Sequence, residues 1–152
     1  MKLTEIILMA AIAVFAASCE QQNHESETSF SEAVAGTYTG TLTMSVMGTA
    51  MDPMEEAQVT LGVENNVWTL TLPEMGTGSM SMESISVEVE LAESGEGYTL
   101  TAENIDAVSG NLSITGSLTG TVSADGSSMA INAEITPGAM PMAINVDFEG
   151  TK

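Results

Sequence analysis

The chain has 152 residues, with two lysines, no arginine and one histidine against 21 carboxylates, for a formal net charge of −19. The lysines stand at positions 2 and 152. No cluster of bases exists to neutralise phosphates, which excludes nucleic acid as a partner and adhesion to an anionic bilayer through a basic surface. A hydrophobic content of 43% is too high for a solvated acidic tail, and the length suits one domain with a single core.

Behind Lys2, residues 6–17 form a weakly apolar run that ends in Ala16, Ala17, Ser18 and Cys19. The run is too short to span a bilayer, which takes about 20 residues. It has the form of a secretory leader closing on small residues. The cysteine directly after them resembles the lipobox of bacterial lipoproteins, in which the thiol is acylated and becomes the new N-terminus. A lone cysteine in an exported chain has no disulfide partner. Residues 1–18 are therefore expected to be a signal peptide, with Cys19 the lipidation site. Residues 19–33 are then a flexible polar tether, since residues 20–31 (EQQNHESETSFS) show no apolar periodicity.

From Val34 onward the pattern alternates with period two, the mark of strands with one buried face. Gly36, Tyr38, Gly40, Leu42, Met44 and Val46 share one face of a first strand, with threonine and serine on the other. Ala57, Val59, Leu61 and Val63 make a second, and Asn65-Asn66 turns the chain into a third with Trp68, Leu70 and Leu72. Ile85, Val87, Val89 and Leu91 define the fourth, and Tyr98, Leu100 and Ala102 the fifth. The sixth carries Leu112, Ile114, Gly116, Leu118, Gly120 and Val122, and leads to an Asp125-Gly126 hairpin signal. Met129, Ile131, Ala133 and Ile135 form the seventh, and Met142, Ile144, Val146 and Phe148 the eighth.

Eight strands joined by short turns, without a helical stretch, leave a barrel or a two-sheet sandwich. A barrel leaves no edge to protect, and eight strands either just fill their interior or hold one small ligand. We expect an all-β fold: a single antiparallel, roughly eight-stranded up-and-down barrel over residues 34–152. A porin-like barrel with a polar lumen would enclose Glu88, Glu90, Glu134, Asp147 and Glu149 without a basic partner. The opposite orientation puts them in water.

The opening segment Val34-Ala35-Gly36-Thr37-Tyr38-Thr39-Gly40-Thr41-Leu42, residues 141–152 (PMAINVDFEGTK) and the leader together resemble the calycin-like β-barrel lipoproteins of Bacteroidetes. The resemblance implies a lipocalin-like barrel at the outer membrane, on its periplasmic side or at the cell surface. It brings no catalytic or ligand residues with it.

The residue inventory narrows the chemistry. The single histidine, His24, falls in the tether, so a Ser-His-Asp triad has no base in the barrel. Zinc ligands are missing there for the same reason. Glu55-Glu56, or Glu88 with Glu90, read more simply as solvated surface than as a glycosidase pair. No enzyme and no cofactor are expected. The leading expectation is a lipid-anchored envelope protein that takes a small hydrophobic molecule in or at the mouth of the barrel, with Tyr38, Leu42, Met44, Trp68, Leu70, Met142 and Phe148 as the candidate lining. The alternative is a filled barrel whose outer Thr/Ser face meets another envelope component. Twelve methionines are the compositional oddity, and their clusters at 44–54, 75–82 and 140–142 add a third option, because thioethers are soft ligands for Cu(I).

Overall fold

The structure is a computed structural model that describes residues 33–78, 81–138 and 142–152. The expected leader, Cys19 and the tether up to residue 32 lie outside the described residues, as do Met80 and Met140. The strands are β1 (Gly36–Val46), β2 (Thr49–Ala50), β3 (Met54–Glu64), β4 (Val67–Leu72), β5 (Ile85–Ser94), β6 (Gly97–Ser109), β7 (Leu112–Ser123), β8 (Ser128–Pro137) and β9 (Ile144–Thr151). Each pairs antiparallel with the next in order, except that β1 pairs with both β2 and β3. β1 also pairs with β9, so the eight long strands close on themselves. The two-residue β2 is a hairpin appended to the rim, too short to announce itself as alternation.

The register confirms the inward face. Tyr38, Leu42, Val59, Leu61, Leu70, Ile85, Leu100, Ile114, Leu118, Ile131, Val146 and Phe148 are buried in one continuous cluster. Ser109 is the only buried polar residue among those described, and its hydroxyl donates to the Glu83 carbonyl at 3.0 Å. The carboxylates of the described residues are exposed, where water solvates them.

Three differences from the sequence expectation have local causes. β6 runs seven residues beyond Ala102 because Glu103 and Asn104 form a bulge between Ala102 and Ile105, which shifts the alternation by one. Val63, expected inside, is 37% exposed beside the Asn65-Asn66 turn. β9 begins at Ile144, so Met142 lies in a bend before the strand and not within it.

Closure depends on close backbone contact between β1 and β9. Gly40 faces Gly150, and a Cβ built at Gly40 would fall 1.9 Å from the Glu149 carbonyl oxygen. Only glycine lets the strands approach this far. At the end where the chain enters, the Tyr38 hydroxyl donates to the Val34 carbonyl at 2.6 Å, and the Lys152 ammonium sits 5.3 Å from the centre of the Tyr38 ring. That end is closed by Val34, Tyr38 and Lys152. The opposite end carries the connections through residues 47–53, 73–84, 110–111 and 138–143.

Candidate functional site: the outer wall of the barrel

The seven residues expected to line a ligand site divide. Tyr38, Leu42, Met44, Leu70 and Phe148 belong to the packed cluster, with Leu42 opposite Phe148 across β1 and β9. Trp68 is half-buried and packs against the cluster from its edge. Met142, also half-buried, stands at the far end of the barrel.

Three grooves indent the wall. A groove of about 670 Å³ crosses β1 and β6 to β9 near the entry end, and a second of about 480 Å³ continues it over β6 to β9. Pairing explains why they are lined with small hydroxyl side chains. Thr99, Thr121, Ala130, Glu149 and Thr41 stand in register as one transverse row, and Thr101, Thr119, Asn132, Asp147 and Thr43 as the next. All occupy outward positions of the pleat, where short β-branched side chains favour the strand and leave the surface low. The Asn132 amide donates to Asp147 at 2.5 Å, fixing one acceptor within the second row.

A third groove, of about 800 Å³, lies between β4, β5 and β6. β5 pairs with β4 through Ile85–Val89 but with β6 only through Glu90–Ser94. The wall therefore changes partner halfway along β5. Trp68, Val89, Leu91 and Ala102 contribute apolar lining there, and Glu88, Glu90 and Glu103 contribute charge.

Two ionisable groups near the entry end are perturbed. Asp125 is held at about 2 by hydrogen bonds from the Ser123 hydroxyl (2.6 Å), the Ser127 hydroxyl (2.7 Å) and the Ser127 amide (3.0 Å). Donors to the ionised form stabilise it, so this turn keeps its charge into strong acid. Burial, and secondarily the Asp125 charge, push the Tyr38 phenol above its ordinary value. Its role is the structural bond to Val34.

Among the described residues no group of three His, Cys, Asp or Glu side chains is placed to hold a metal ion, and no helix is long and apolar enough to cross a membrane. The grooves escaped the sequence reading because a row across a sheet is a property of register. The repeated outward threonines were the available signal.

Comparison with known proteins fits this architecture. A search of the curated proteins returns no match. A crystal structure of a "putative outer membrane protein" from Bacteroides fragilis superposes with a TM-score of 0.69 at 29% identity, covering 81% of this chain and 52% of that one. The chain thus spans about half the length of that solved structure. The family model for the calycin-like β-barrel domain matches residues 34–151, the whole closed barrel, and the chain belongs to that family.

Proposed function

We propose that this is a non-enzymatic, lipid-anchored barrel of the cell envelope whose grooved outer wall, not its interior, meets another envelope component. The observation that carries this reading is the burial of the interior: Tyr38, Leu42, Leu70 and Phe148 are at most 1% accessible, so no water-sized space opens onto them, while the grooves lie outside. The lipobox-like Cys19 supports the anchor, on the periplasmic side or at the cell surface, and the Bacteroides fragilis neighbour supports placement at the outer membrane.

A second reading keeps the small hydrophobic ligand but moves it to the wall. It is favoured by the half-buried Trp68 with Val89, Leu91 and Ala102 in the third groove. Its volume of about 800 Å³ is within the range of small-molecule sites.

A photo-crosslinking amino acid at Thr121, in the midst of the hydroxyl rows, separates the readings in intact cells. We expect a discrete adduct with a macromolecule of the envelope, and none from the same group at Ser86, which lies on β5 outside the hydroxyl rows. No adduct at Thr121, or equal adducts at both positions, would count against the wall as a specific surface.

A further inference from the structure

The methionines that form separate clusters in the sequence come together at one end of the barrel. Met44 lies two residues before the end of β1 there, Met47 lies at its hairpin tip, Met51 returns beside Met44, and Met54 opens β3 opposite Leu42. The Met51 amide donates to the Met44 carbonyl at 2.8 Å, which sets the two residues side by side. On the other flank of β1, Val46 faces Ile144, two residues after Met142. Met75 and Met82 pair across the β4–β5 connection through reciprocal backbone bonds of 2.9 and 2.7 Å. Met129 alone among the described barrel methionines is near the entry end.

Packing explains part of this set. Met44, Met75 and Met82 are buried, and methionine fills irregular interiors well. It does not explain Met47, which is 80% exposed and left-handed at φ 52°, followed by Gly48 at φ 79°. A turn with two left-handed residues favours asparagine and glycine, and the chain uses Asn65-Asn66 in the corresponding turn at the entry end. A methionine at that tip incurs conformational strain and exposes apolar surface.

The donor chemistry restricts what such a rim could hold. Residues 34–152 contain no histidine and no cysteine, so imidazole and thiolate ligands are missing and the soft donors present are thioethers. Soft thioethers select soft, low-charge d¹⁰ cations. We propose that the rim of Met47, Met51, Met54 and Met142, backed by Met44, binds Cu(I) or its analogue Ag(I). These methionines lie on or beside β1, β3 and β9, whose neighbouring placement requires the closed barrel.

The test is an anaerobic titration of the full chain with Cu(I) against bicinchoninate, with ascorbate as reductant, beside a variant carrying Met47→Leu, Met51→Leu, Met54→Leu and Met142→Leu. Leucine nearly conserves volume, so the fold is retained. We expect the variant to bind at least roughly tenfold more weakly, about 1.4 kcal/mol. Methyl-labelled methionine spectra with Ag(I) give a readout that needs no substitution: the rim methyls shift and the Met129 methyl does not. Equal Cu(I) affinity in the variant, no binding by either protein, or a Met129 shift as large as those of the rim would overturn the proposal.

Discussion

Replacing Gly40 by alanine is expected to destabilise the barrel by about 3 kcal/mol or more, lowering the melting temperature by about 10 °C or more. Alanine is the smallest possible change. Its Cβ would nevertheless lie 1.9 Å from the Glu149 carbonyl oxygen and 2.4 Å from the Gly150 Cα. Both are backbone atoms of the paired strand, so no side-chain rotation relieves the clash. The strands must separate where β1 and β9 close the barrel. Gly62→Ala is the matched control, since nothing lies within 4 Å of a Cβ there. It is expected to stay within about 1 kcal/mol of the parent and to tend toward stabilisation. Thermal unfolding of the two variants beside the parent checks the contrast, and equal losses would show that close approach is not what Gly40 provides.

Phe148→Ala is expected to cost about 3–5 kcal/mol. The ring is buried, stands between Leu42 and Ile131 on the flanking strands, and lies close enough to Gly150 that a Cβ there would meet it at 2.4 Å. Alanine would leave a void that neighbours on a closed sheet cannot readily collapse into. This variant discriminates between a filled barrel and a ligand cavity. If Phe148 lined open space, its removal would cost little stability. Denaturant unfolding measures the difference, with Phe148→Leu expected to lose much less because most of the volume is retained.

The barrel was legible because the polar and apolar residues of most strands alternate without interruption. Period two identifies the inner face residue by residue, and the buried cluster includes nearly all the residues so identified. The upper half of β6 was not legible, because the Glu103-Asn104 bulge reverses the phase and leaves Ile105, Asp106, Ala107, Val108 and Ser109 looking irregular. Five of the seven candidate lining residues, Tyr38, Leu42, Met44, Leu70 and Phe148, lie in the buried cluster, but a one-dimensional pattern does not reveal whether inner side chains surround a space or fill it. That depends on how deeply facing strands interdigitate, which glycines at Gly40 and Gly116 help to set. The methionine clusters were visible singly. Their convergence needed the topology that brings the starts and ends of alternate strands to one rim.

Native mass spectrometry of the protein released from its own envelope tests the central claim of a filled, lipid-anchored barrel most directly. The account predicts a chain that begins at Cys19, carries the mass of an acyl anchor, and retains no small molecule. A stoichiometric small molecule retained by the protein, or a chain with an unmodified Cys19, would contradict it.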